Sequence, residues 1–117
     1  MNVLREPSQK EKAIVVALLQ AKPETADLLD CLDGLLVREM SDGGMGSLSL
    51  VPNGLEGIDR SFGRQLLLGE FTDSDGVTVS VALNVDSKGR LYELDVWKVD
   101  FSPLLAWPKP SAVRIVG

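Results

Sequence analysis

Asp73-Ser74-Asp75-Gly76-Val77-Thr78-Val79-Ser80-Val81-Ala82-Leu83-Asn84-Val85-Asp86-Ser87-Lys88-Gly89 decides the fold of this chain. Between two look-alike turns, Asp73 to Gly76 and Asp86 to Gly89, apolar residues alternate with small or polar ones. Such alternation puts every second side chain on one face and marks a half-buried strand. Asp- and Gly-rich turns at both ends fold the chain back on itself, so the strand has antiparallel neighbours on both sides.

The second turn predicts which face each side chain takes. A four-residue loop ending on a left-handed Gly89 sets Val85 opposite Arg90. Leu83 then faces Tyr92, Val81 faces Leu94 and Val79 faces Val96. A slip of one residue would bring Asp95 and Glu93 onto the apolar face, which costs several kcal/mol. On the opposite face Thr78 is expected across from Trp97, Ser80 from Asp95 and Ala82 from Glu93.

Upstream, Ser8-Gln9-Lys10-Glu11 reads as a capping box for a helix from about Gln9 to Ala21. Its apolar face holds Ile14, Ala17, Leu18 and Ala21, widened by Val15 and Leu19. Pro23 interrupts it and suits the first turn of a second helix over Glu24 to Leu32, which Asp33-Gly34 stops. From Leu35 the period changes to two. Strands are expected at Leu35 to Met40, Gly46 to Pro52, Arg64 to Thr72, Val77 to Val85 and Arg90 to Val99. Gly43-Gly44 marks a tight turn, and Asn53 to Gly63 a loop. Pro103, Pro108 and Pro110 make residues 101–117 an extended tail, whose Leu104, Leu105, Trp107, Val113 and Ile115 need a surface to dock on.

The expected fold is α+β in one domain, 1–117. Two N-terminal helices (about 9–32) pack on one face of an antiparallel sheet of about five strands (about 35–100), and consecutive strands are expected as a meander. With 44% hydrophobic residues, a core forms without disulfides or metal.

Composition excludes more than it assigns. The net charge of −5 argues against nucleic-acid binding, which needs clustered Lys and Arg. No apolar run is long enough for a membrane span, and the polar stretch Asn2 to Lys12 does not read as a secretory signal. A soluble cytoplasmic protein is expected. Histidine is absent and Cys31 is the single cysteine, so neither an ordinary zinc site nor an activated nucleophile can be assembled. Cys31, inside Leu28 to Leu32, is expected as a small buried hydrophobe. Asp73-Ser74-Asp75-Gly76 begins like a calcium loop but lacks the third acid, the spaced glycine and the distal glutamate. No metal or cofactor is expected, and the residue set leans away from an enzyme.

Three functional readings stay open. In the first, Glu93, Asp95 and Trp97, with Ser80 and Thr78 beside them, form an acidic, Trp-centred face that docks another, basic protein. A solvated sheet face would show the same polar residues. In the second, Arg38, Asp42, Asp59 and Arg60 line a small-ligand or enzymatic site between the Gly43-Gly44 turn and the 53–63 loop. In the third, edge pairing of the fifth strand or exchange of the tail makes a homodimer.

Three segments resemble a known family: Val37 to Leu48, Phe71 to Val77 and Glu93 to Leu104, containing EMSDGGMGSL, FTDSDGV and ELDVWKVDFSPL. They are similar to a family of small, uncharacterised bacterial proteins, a domain of unknown function, from about Arg5 to Leu104. The resemblance implies a bacterial source and brings no catalytic residue with it. In size and charge, though in no motif, such domains are similar to immunity proteins that neutralise bacterial toxins.

Overall fold

A computed structural model describes residues 3–117. Met1 and Asn2, at the head of the polar N-terminal stretch, lie outside the described residues.

The capping box is present at the start of α1 (Gln9–Gln20). Glu11 N donates to Ser8 Oγ at 3.1 Å, and Ser8 N donates to Glu11 Oε1 at 2.8 Å. Arg5 forks onto both Glu11 oxygens at 2.8 and 2.9 Å, tying the N-terminal segment to the helix. The buried stripe is Glu11, Ile14, Val15, Leu18 and Leu19, whereas Ala21 is exposed. The stripe is therefore turned away from Ala17 and Ala21, toward the larger side chains.

The second expected helix is a 3-10 run, Pro23–Leu32. Thr25 anchors its start, its hydroxyl donating to Leu19 O at 2.8 Å, and Thr25 and Leu32 are buried. Three residues per turn align Ala26, Leu29 and Leu32 in one row. Cys31 falls on the next row and is exposed, which corrects the expectation of a buried thiol.

The sheet has six strands, all pairings antiparallel: β1 (Leu36–Glu39), β2 (Leu48–Val51), β3 (Phe62–Thr72), β4 (Thr78–Asp86), β5 (Leu91–Lys98) and β6 (Arg114–Ile115). Their order is β1-β2-β5-β4-β3-β6, so the full meander is corrected. The loop after β2 carries the chain past the place beside it, and β5 fills that place, with Leu48 opposite Leu94 and Ser49 opposite Glu93. The fifth strand is interior and cannot pair at an edge. β1 and β6 are the edges, and Arg5 bridges to Val37 on the outer side of β1.

The tail supplies the sixth strand. Residues 101–109 form neither helix nor strand, and then a 3-10 turn at Pro110–Ala112 leads into β6. Trp107 packs against Phe71, a residue of the buried face, with ring centroids 6.2 Å apart. Gly46 permits this approach, because a Cβ there would meet Leu104 at 3.2 Å and Trp107 at 3.3 Å. α1, the 3-10 run and the tail thus share the core face, with Leu67, Phe71, Val79, Val81, Leu83, Leu94 and Val96 beneath them.

Register departs from expectation by two residues along most of the β4–β5 pair. The hairpin closes on Asp86, whose N–H donates to Arg90 O at 2.8 Å, rather than on Val85. A bulge between Asn84 and Val85 then leaves Tyr92 unpaired. Val79 faces Lys98, Val81 faces Val96 and Leu83 faces Leu94; on the other face Ser80 meets Trp97, Ala82 meets Asp95 and Asn84 meets Glu93. Thr78 instead lies opposite Thr72 of β3. Two one-residue displacements sum to an even number, so the faces survive although every predicted partner changes. Next to the bulge they do not: Leu91 is buried and Tyr92 is half-buried.

Candidate functional site

With the tail on the core side, the outer face of the sheet is open around Trp97. Trp97 is 51% exposed and Asp95 is exposed, while Glu93, Ser80 and Thr78 are half-buried beside them. Trp97 does not pack under Trp107 or Leu105. Its neighbour is Phe101, with ring centroids 6.0 Å apart, and Phe101 is 68% exposed. Glu70 of β3 lies opposite Ser80, and an Arg114 nitrogen lies 3.1 Å from it. Glu70 and Phe101 are therefore part of this face although sequence reasoning missed both. Phe101 follows the last strand, where the period of two no longer places a side chain.

Phe101 has φ +63°, and it is the one non-glycine residue with positive φ among those described. Its N–H donates to Lys98 O at 2.9 Å, and Asp100 Oδ1 accepts from Ser102 N at 3.0 Å, so two turns in succession hold the backbone there. A left-handed phenylalanine costs about 1–2 kcal/mol relative to glycine.

Behind the aromatic pair lies a buried charge cluster. Lys98 continues the inward series Leu94, Val96, and its side chain is 0% exposed. Its ammonium donates to Asp73 Oδ2 at 2.9 Å, Asp75 Oδ2 at 2.7 Å and Pro103 O at 3.2 Å. The cation between the two aspartates of the calcium-like turn is a lysine. Asp73 also accepts from the backbone N–H groups of Ser74, Leu105 and Ala106 at 2.7, 2.9 and 3.2 Å. Burial alone would raise the Asp73 carboxyl, but these donors outweigh it and hold it down at about 2. Burial opposes the Lys98 charge, yet Asp75 and Asp73 raise its pKa above the ordinary lysine value.

The second turn repeats the device at the other end of β4. In both turns the glycine N–H donates to the aspartate carbonyl, with Gly76 at φ +82° and Gly89 at φ +81°. Buried Asp86 accepts from Lys88 N, Arg90 N, Arg90 Nε and Arg60 at 2.8 to 3.2 Å. Burial again works against ionisation, and these donors bring its pKa to about 2. Arg60 donates as well to Leu91 O at 2.8 Å and Leu50 O at 2.6 Å, and sits over the Tyr92 ring at 5.2 Å. Asp73 therefore fastens the tail, and Asp86 fastens the 52–61 loop through Arg60.

That loop walls a concavity of about 450 Å³ on the outer face, lined by Arg38, Ser49, Asp59, Arg60, Tyr92 and Glu93 among others. Arg38, Asp59 and Arg60 of the expected ligand site come together here, joined by Glu93 of the acidic, Trp-centred face. Asp42 does not join them. Its carboxylate caps the 40–47 turn, accepting from Met45 N at 3.1 Å and Ser47 N at 2.9 Å. The Gly43-Gly44 turn meets the tail instead, Leu104 N donating to Gly44 O at 3.0 Å. The guanidinium of Arg60 is committed to the loop and forms part of the wall.

Among the described residues, no helix is long and apolar enough to cross a membrane, and no group of three or more His, Cys, Asp or Glu is placed to hold a metal ion. No curated protein and no solved structure gives a significant match to the chain. One family model matches residues 4–108, most of the length. The chain therefore belongs to the family described as a domain of unknown function (DUF6984).

Proposed function

We propose that this protein is a non-enzymatic binding module whose outer sheet face docks a basic protein, with Trp97 and Phe101 as anchor and Asp95, Glu93 and Glu70 as the surrounding charge. Thr78 and Ser80 keep the floor beside the anchor low. The observation that carries this reading is Phe101. A large apolar side chain occupies a left-handed position that glycine would fill without strain, and it stands in solvent against an exposed tryptophan. The left-handed strain offsets what the half-exposed ring pair contributes to stability, whereas a partner burying both rings would gain from it. The net charge of −5 and the acids around the rings favour a basic surface. An immunity-type role in a bacterial cytoplasm, neutralising a basic toxin, suits this chemistry.

Two substitutions test the proposal. Trp97→Ala should weaken the complex by about 2 kcal/mol or more and leave the fold intact. Phe101→Gly should keep or raise stability, because glycine accepts the backbone, and still lose the partner. Pull-down from a bacterial lysate should recover a basic protein with the native chain and not with either variant. Equal recovery by all three chains, or a native chain that dimerises through this face in light scattering, refutes the reading.

A further inference from the structure

The concavity beside the 52–61 loop supports a separate inference. Cross-strand pairing aligns Arg38 of β1, Ser49 of β2, Glu93 of β5 and Asn84 of β4 in one row on the outer face. Neighbouring strands lie about 4.8 Å apart, so Arg38 and Glu93 are roughly 10 Å apart at Cα, with small Ser49 between them. Asn84 Nδ2 donates to Glu93 Oε1 at 3.4 Å and orients it. Among the described residues the Arg38 guanidinium has no hydrogen-bond or ion-pair partner. The concavity thus presents a cation and an anion across a low polar floor. Leu55, Ile58 and Tyr92 add an apolar wall, and the fork of Arg60 onto Leu50 O and Leu91 O holds that wall in place.

We propose that this is a binding site for a free α-amino acid with a sizeable apolar side chain, its carboxylate on Arg38 and its ammonium on Glu93. With Cα atoms roughly 10 Å apart, the long Arg38 and Glu93 side chains can close from either side on a ligand whose carboxylate and ammonium are attached to one carbon. Glu56, Asp59 and Glu93 in the lining disfavour a dianion and favour an ammonium, while Arg38, the lining cation that Asp86 and the strand carbonyls leave uncommitted, gives a single carboxylate its place. The volume of about 450 Å³ leaves room for the side chain against the Leu55–Ile58 wall.

The test is an amide-shift NMR titration of the full chain with L-leucine, L-methionine and L-phenylalanine. The comparators are leucinamide, which lacks the carboxylate, and N-acetyl-leucine, which lacks the ammonium. Saturable shifts are expected at Arg38, Ser49, residues 55–60, Tyr92 and Glu93. Each comparator should bind the native chain at least about tenfold more weakly than L-leucine does, and Arg38→Gln and Glu93→Gln should each bind L-leucine at least about tenfold more weakly than the native chain. Both substituted residues reach solvent, and circular dichroism will verify that the variants fold. Trp97→Ala should leave amino-acid binding unchanged, so failure of the docking proposal and failure of this one are distinguishable. No saturable shift with any of the three amino acids, equal binding of the comparators, or indifference to both substitutions overturns the inference.

Discussion

Replacing Asp73 by alanine removes one acceptor shared by a turn, a strand and the tail. The native carboxylate takes five hydrogen bonds, from Lys98 Nζ, from the N–H groups of Ser74, Leu105 and Ala106, and a long one of 3.5 Å from Ser74 Oγ. Hydrogen bonds to a charged group contribute about 1.5–3 kcal/mol each. Their simple sum overstates the loss, because Lys98 keeps Asp75 and Pro103 O and the Ser74 N–H can turn to water. Breaking one side of a buried ion pair costs about 3–5 kcal/mol, and Asp73→Ala should fall in that range. In urea, with a slope of about 2 kcal/mol/M, the midpoint should drop by about 2 M with the slope unchanged. Hydrogen exchange at Leu105 and Ala106 should accelerate beyond the change at core amides such as Val81. Asp73→Ala combined with Lys98→Met removes both buried charges and should be more stable than Asp73→Ala alone. A loss below about 1 kcal/mol, or a double variant no better than the single one, would refute the idea that this cluster holds the tail.

The paired turns also set the acid response. Asp73 and Asp86 ionise at about 2 in the folded chain, against about 3.9 for aspartate in an unfolded one. The unfolded state therefore binds protons first as pH falls. The stabilisation is complete above about pH 5 and drains away between about pH 4 and pH 2. Lys98, with its pKa raised, acts in the opposite sense and loses its contribution only as pH climbs past that raised value. No histidine titrates in between, so thermal melts should be nearly flat from about pH 5 to 8, and a midpoint that falls on acidification through pH 6 would contradict the assignment. Arg60→Ala should cost about 2–3 kcal/mol and speed exchange across residues 53–61, because Leu50 O and Leu91 O lose their donor. Arg60→Lys should not restore protection, since a single ammonium cannot span the same acceptors; full recovery by lysine would show that charge alone fastens the loop.

The acidic, Trp-centred face was legible because it follows from parity. Glu93, Asp95 and Trp97 alternate with Leu94 and Val96, and any register that buries the apolar set exposes the acids. The count of residues between partners was not legible. It depends on where the hairpin closes and on a bulge at Tyr92, both settled by the many bonds to Asp86 and by Arg60 seated on the Tyr92 ring. Asp42 and Arg60 looked like ligand groups because isolated polar residues in loops carry no mark of their partners. The backbone of the 40–47 turn and the carbonyls of β2 and β5 claim them.

Local patterning determined the class of fold: the capping box at Ser8, the break at Pro23, the change of period at Leu35 and the twin Asp–Gly turns each act within a few residues. Tertiary structure alone decided that β5 lies beside β2, that the tail crosses the helix side and forms a sixth strand, and that Lys98 is buried between Asp73 and Asp75. Those outcomes depend on contacts between segments up to dozens of residues apart. A short window encodes which side chains avoid water, but which distant groups satisfy one another is settled only when the whole chain has closed around them.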